Sequence, residues 1–200
     1  MKDFYARIDA LDGLDPAARA VAEERIRADF ETECAVLVLD LSGFSIHVRR
    51  GGILPHLRRI RRMQSLASPL VADAGGALVK CEADNLIAVF PAARGAVEAA
   101  LAIHDALAAN PGGPGPDDVL SAGIGIDYGR FLLIAGRDAF GDPVNVAHKL
   151  GEDLARAGET LVTAEVRRRL GDAPDLIDER IVLSVSGLDL EAYRLTRRPG

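Results

Sequence analysis

Tryptophan is absent, and other aromatic residues are scarce: six phenylalanines and three tyrosines among 200 residues. Val, Leu, Ile and Ala must therefore fill the core. A sheet surface that stacks nucleic-acid bases would need exposed aromatics and basic character, and this chain supplies neither. Lys and Arg number 24 against 30 Asp and Glu, for a net charge of −6. Nucleic acid is thus not an expected partner. There are only two cysteines, Cys34 and Cys81, and no CxxC. That excludes a disulfide framework and a structural zinc site; both cysteines lie in apolar runs and read as buried free thiols. No apolar run is long enough to span a bilayer, so no membrane segment is expected. Met1-Lys2-Asp3-Phe4 lacks the apolar core of a signal peptide, and a cytoplasmic protein is expected.

What the chain does contain is an alternation of strand-like runs and amphipathic helical stretches. Its hydrophobic content of 48% and charged content of 27% suit a globular domain. An N-terminal helical extension, 1–33, precedes the main domain, 34–200. The extension begins with a short helix over 3–11. A second starts at Asp15-Pro16, with Asp as N-cap and Pro at the first helical position, and runs to about Phe30. Ala22, Ile26 and Phe30 share one face of it, which either packs on the domain or pairs with a second chain.

In the main domain, a long helix is expected over 54–74, with Leu57, Ile60, Met63, Leu66, Leu70 and Val71 at helical spacing. Pro69 should kink or restart it. Arg58, Arg59, Arg61 and Arg62 lie mostly off the apolar stripe, on a solvated face. Strands at 77–81 and 86–90 form a tight hairpin through Glu82-Ala83-Asp84-Asn85. An Ala-rich helix covers 92–110. A strand pair, 120–128 and 131–135, turns at Gly129-Arg130. A helix starts at Asp142-Pro143 and runs to about Ala157; short strands and one short helix follow. Adjacent strand pairs predict a largely antiparallel sheet with helices on one face, an α+β arrangement.

The chain is organised around Cys34-Ala35-Val36-Leu37-Val38-Leu39-Asp40-Leu41-Ser42-Gly43-Phe44. Its apolar half reads as a strand buried on both faces. It ends on Asp40, followed by the turn signal Ser42-Gly43. A strand-end carboxylate beside a glycine turn is one half of a metal site, with turn N–H groups open to phosphate oxygens. Taken alone, Asp40 reads first as a turn cap, and only partners from other stretches change that. Asp84 lies in the hairpin turn, where Asp is favoured for turn chemistry alone. Lys80 is unusual inside a strand pattern. Asn145 and Lys149 lie i, i+4 near the positive end of a helix, which suits an anion or two plain surface residues.

Three stretches, in order, resemble the class III nucleotidyl cyclase catalytic domain. They are Asp40-Leu41-Ser42-Gly43-Phe44-Ser45, Gly75 to Asp84, and Phe140-Gly141-Asp142-Pro143-Val144-Asn145-Val146-Ala147-His148-Lys149-Leu150. Gly123-Ile124-Gly125-Ile126 with Gly129, and Ser186-Gly187-Leu188 to Tyr193, fit the strands between and after them. The resemblance implies a ferredoxin-like cyclase homology domain over 34–200 that turns ATP into 3′,5′-cyclic AMP and pyrophosphate. Asp40 and Asp84 would hold two Mg²⁺ or Mn²⁺ ions per site, and Gly43, Phe44 and Ser45 would cradle phosphates. Lys80 and Asp138 match the pair that reads the purine, in a pattern that fits adenine. Asn145 would orient the ribose, and Lys149 would meet the α-phosphate. In the family, metal carboxylates and base readers come from different subunits, which implies a homodimer. The upstream regulator is left open.

The chain departs from the family pattern at three positions. Lys149 stands where Arg is usual, Ser186 where many members place Lys, and Ala83 where Gly precedes the second metal Asp. Arg offers a planar fork to a phosphate, whereas Lys offers a point charge. These changes support a second reading, a catalytically weakened or inactive cyclase-like module that binds nucleotide or dimerises in signalling.

Overall fold

The computed structural model describes residues 4–43, 52–110, 119–185 and 188–198. Helix α1 (Phe4–Asp9), a 3₁₀ turn (Ala10–Gly13) and α2 (Pro16–Phe30) lead into β1 (Glu31–Leu41). Then come α3 (Ile53–Asp73), the hairpin β2 (Ala77–Glu82) and β3 (Asn85–Phe90), α4 (Ala93–Ala109) and β4 (Ala122–Ile134). This β-α-β-β-α-β order is the ferredoxin-like unit. The chain continues through β5 (Asp138–Phe140), α5 (Asp142–His148), a π-helical turn (Lys149–Leu154) and β6 (Thr160–Thr163). It closes with α6 (Ala164–Leu170), β7 (Leu176–Val185) and β8 (Leu188–Arg197).

The strands form one sheet in the order β2-β3-β1-β4-β6-β8-β7, with β5 paired to β4. All strand pairs are antiparallel except β4 with β6. Strand β1 lies between β3 and β4, which pair both of its edges, and helices pack on both of its faces. Alternation along β1 divides the core in two. Ala35, Leu37, Leu39 and Leu41 face α3, α4 and α6. Cys34, Val36 and Val38 face the other way, toward Val144 and Ala147 of α5. The expectation of helices on one face is thereby corrected: α5 covers part of the second face. Asp40, in register with the even set, belongs to that second face.

Four local expectations are revised by tertiary contacts. Gly129-Arg130 is no turn, because β4 runs straight through it against Cys34 and Glu33 of β1. Gly129 is there for packing: a Cβ on it would lie 2.7 Å from the Pro143 ring. The reversal falls at 135–137, where the Arg137 amide donates to the Ile134 carbonyl (2.9 Å). Arg59 is buried, not solvated, and its guanidinium donates to the carbonyl of Val119 (3.0 Å). Cys34 is buried as expected, but Cys81 is exposed. Helix α3 runs through Pro69 without restarting.

The N-terminal helices pack on the sheet. Asp15 caps α2 by accepting from the amides of Ala17 and Ala18, both at 2.9 Å. Phe4 and Ile26 bury against Ile134 of β4, with Tyr5, Leu11, Phe30 and Leu132 around them. Among the described residues, no helix is long and apolar enough to cross a membrane.

Candidate active site

Strand register brings Asp40 and Asp84 to adjoining strand ends. Asp40 is opposite Asn85 on β3 and Gly123 on β4, and the Leu41 amide donates to the Asp84 carbonyl (3.2 Å). Gly43, in the turn that follows, has the left-handed φ of 88° such a turn requires. Phe44, Ser45 and Ser186 lie outside the described residues.

The third piece of this end is the π-helical turn, which glycines seat directly on the sheet. A Cβ on Gly125 would lie 2.2 Å from the Ala147 carbonyl oxygen, and one on Gly151 would lie 2.7 Å from that of Val38. The turn closes with the Ala155 amide donating back five residues to Leu150 (2.7 Å). Such π turns occur frequently at functional sites. The α-helix expected to reach Ala157 thus ends at His148, and its continuation presents Glu152 and Asp153 toward Asp40.

Burial pushes the Asp40 carboxyl up to about 7, and the like charges of Asp84, Glu152 and Asp153 add to the push. No Lys or Arg among the described residues pairs with it. A half-buried carboxylate facing three others would be stabilised in its charged form by a cation. Among the described residues, no group of three or more His, Cys, Asp or Glu forms a self-contained metal cage. Two carboxylates that leave most coordination positions to phosphate and water fit Mg²⁺, or Mn²⁺ with the same oxygen ligands, rather than a closed structural site. Asp40 and Asp84 are the residues that could hold such ions.

Glu152 is itself held in place. Asn85 Nδ2 donates to its Oε1 (2.5 Å), and His148 Nδ1 lies 2.7 Å from the same oxygen. A carboxylate at this contact accepts, so Nδ1 of His148 carries the hydrogen. Lys149 is exposed and ion-paired with Asp153, four residues on. Asn145 is exposed, and its side chain makes no hydrogen bond among the described residues.

Four residues before Asp84 on the same hairpin, Lys80 of β2 meets Asp138 of β5, 58 positions on in the chain. Lys80 Nζ lies 3.1 Å from Asp138 Oδ1 and 2.8 Å from Glu82 Oε2. The hydrogen bond to Glu82 raises the Lys80 ammonium above its ordinary value, and Asp138 adds to the shift. Asp138 Oδ1 also accepts from the Ala139 amide (3.0 Å), and its Oδ2 accepts from the Tyr5 hydroxyl (3.4 Å). No ion pair or hydrogen bond among the described residues joins this pair to Asp40 or Asp84.

No family model matches the chain. A putative adenylate cyclase 3 from Rhizobium meliloti is 28% identical over 156 residues, or 78% of this chain. The chain spans about a quarter of that relative, 26% of its length. An adenylate/guanylate cyclase/hydrolase from Silicibacter pomeroyi superimposes with a TM-score of 0.70 at 26% identity. The match covers 84% of this chain and 99% of that one. The catalytic core of a rhodopsin-guanylyl cyclase with converted specificity, in complex with ATPalphaS, gives 0.73 at 18% identity over the same shares. The chain has the fold of class III nucleotidyl cyclase catalytic domains.

The described motif residues fall into two groups, Asp40, Asp84, Gly43 and Lys149 in one and Lys80 with Asp138 in the other. The departure at Ala83 has a structural consequence. Ala83 has a φ of +50°, the one left-handed non-glycine among the described residues. Sequence reasoning missed Glu152, Asp153 and Tyr5. Gly151 inside a helical pattern was the available signal for the first two, since an interior glycine marks close backbone approach. Tyr5 lies too far from any motif to have been found that way.

Proposed function

We propose that this cyclase domain converts ATP to 3′,5′-cyclic AMP and pyrophosphate, at sites shared between two copies of the chain. The observation that carries this reading is the Lys80–Asp138 pair. The ammonium has three hydrogens, two of them directed at Glu82 and Asp138. The third is free to donate to a ring-nitrogen acceptor, and Asp138 retains a lone pair to accept from an exocyclic amine. A donor beside an acceptor matches the adenine edge.

The reaction forms a bond from the ribose 3′-oxygen to the α-phosphorus and breaks the bond to the pyrophosphate oxygen. The 3′-hydroxyl loses its proton. Asp40 and Asp84 are the proposed holders of two divalent ions. Bound there, such ions supply the charge that makes the hydroxyl a nucleophile and offsets the leaving pyrophosphate. Asn145 is assigned to the ribose and Lys149 to charge developing at the α-phosphate, with the Gly43 turn and Phe44-Ser45 at the remaining phosphates. The homodimer follows from the family's division of the site.

The Lys149–Asp153 ion pair favours a second reading, a weakened or inactive module whose phosphate-side cation is engaged by its own helix. Incubation of purified protein with ATP and Mn²⁺ separates the two. Cyclic AMP above the level of an Asp40→Ala control is expected, and its absence would favour the module. Mixing Asp40→Ala with Asn145→Ala chains should restore partial activity, because one of the two hybrid sites is intact. No recovery between chains that demonstrably exchange would refute shared sites.

A further inference from the structure

The chain's few aromatics are concentrated where the purine-reading carboxylate sits. Phe4, Tyr5, Phe30 and Phe140 form one cluster, with Phe4 edge-on to Tyr5 (5.3 Å, 84°) and to Phe30 (5.0 Å, 78°). Phe4 also stacks on Phe140 (5.9 Å, 6°), two residues past Asp138. Tyr5 is edge-on to Phe140 (6.5 Å, 86°), and the Arg137 guanidinium lies 4.7 Å from the Tyr5 ring centre. The residues on either side of Asp138's turn therefore grip the N-terminal helix, and Tyr5 reaches Asp138 itself.

Asp138 begins the three-residue strand β5, immediately after a turn. Within the cyclase core it is held by Lys80 and by the amide of Ala139, both on Oδ1. Among the described residues, only the Tyr5 hydroxyl donates to Oδ2. A carboxylate held through one oxygen can rotate about its χ2 bond, which is a broad torsion. A second contact on the other oxygen restricts that rotation and leaves one Oδ2 lone pair open.

We propose that Tyr5 is a positioning residue for purine selection, through which the N-terminal extension holds Asp138 in the orientation that reads adenine. This rests on the assignment of Lys80 and Asp138 as base readers. The extension is then part of the specificity apparatus, and displacing α1 would relax discrimination between ATP and GTP without touching the carboxylate end.

The test uses the full chain, with Mg²⁺, ATP and GTP. Dissociation constants by calorimetry and steady-state kcat and KM are measured for wild type, Tyr5→Phe and Asp138→Ala. Tyr5→Phe keeps the ring and its packing and removes only the hydroxyl. We expect its preference for ATP over GTP to fall about 3- to 10-fold, the range for one long hydrogen bond to a charged group. The change should fall on the Kd and KM for ATP rather than on kcat, with the melting temperature unchanged. Asp138→Ala should lose more. If Asp138→Ala loses discrimination and Tyr5→Phe keeps it, Tyr5 does not position Asp138. If Tyr5→Phe weakens both nucleotides equally and melts lower, its role is merely structural and the proposal is overturned. If Asp138→Ala keeps the wild-type preference, or wild type binds neither nucleotide, the base-reader assignment itself fails and takes this inference with it.

Discussion

At the Asp40 end of the site, four carboxylates share one region, and no cation among the described residues pairs with Asp40. At the Asp138 end, an ammonium, two carboxylates, a backbone amide and a phenol satisfy one another, and an aromatic cluster packs beside them. The second group is internally paired, with one ammonium hydrogen and one carboxylate lone pair left over. The first is not: burial, with the like charges of Asp84, Glu152 and Asp153 added, raises the Asp40 carboxyl, and no cation among the described residues offsets it. One group is held together by its own partners, and the other leaves Asp40 without one among the described residues.

The sharpest way to break this contrast is to remove Asp40. Asp40→Ala should reduce turnover to background while leaving the far-ultraviolet dichroism unchanged. The same change at the other end, Lys80→Ala, should cost affinity and selectivity but leave residual turnover. Equal cyclase activity in Asp40→Ala and wild type would remove the two-ion reading altogether.

Next in size is Lys149. A guanidinium can meet two α-phosphate oxygens at once, and an ammonium meets them less selectively. Lys149 is also paired with Asp153 on its own helical turn. Lys149→Arg should raise kcat by ~5- to 150-fold, the value of about 1–3 kcal/mol from one added charged hydrogen bond. Nucleotide affinity should change little. An unchanged background rate would identify the binding module, and a slower enzyme would mean that Lys149 is adapted to its own geometry.

The pH dependence of stability separates the two ends more gently. Asp40 has a folded-state pKa of about 7, against an unfolded value of ~3.9. Its raised value means that the folded state binds the extra proton. The stabilisation from that proton is fully present below pH ~4 and is lost as pH rises through about 7. In EDTA, wild-type melting temperature should therefore fall between pH 5 and pH 8 relative to that of Asp40→Asn, which lacks this titration. Mg²⁺ should restore wild type at pH 8 and leave the variant unmoved. Parallel pH profiles for the two proteins would contradict the unrelieved-charge account.

These contrasts also show what the sequence could disclose. Strand β1 was legible because an apolar run ending on Asp-Leu-Ser-Gly has few alternatives, and the β2–β3 hairpin because four turn-forming residues separate two strand patterns. That Lys80 meets Asp138 was legible only through the family likeness, since nothing local pairs them. What escaped was set by tertiary contact. Gly129 looks like a turn and is a packing gap under Pro143; Arg59 looks solvated and satisfies a carbonyl from another element. The π-helical turn escaped because its register depends on Gly151 resting on β1, not on its own periodicity.

The smallest effect lies in the hairpin that presents Asp84. Ala83 holds a left-handed φ of +50° in a two-residue turn. An L-residue with a Cβ pays roughly 1–2 kcal/mol there, and glycine does not. Glycine returns part of that gain through the greater freedom of its unfolded chain, about 0.4–1 kcal/mol. Ala83→Gly should thus stabilise the protein by ~0.5–1 kcal/mol, or about 1–4 °C in melting temperature for a chain of this length. Ala77→Gly, on the exposed start of β2 with no left-handed backbone to relieve, should destabilise by about 0.5–1 kcal/mol. The two substitutions remove the same methyl group from the same hairpin, so opposite signs isolate the backbone. If Ala83→Gly melts lower, the turn gains more from its methyl group than it loses to φ, and the strain does not belong to the carboxylate end.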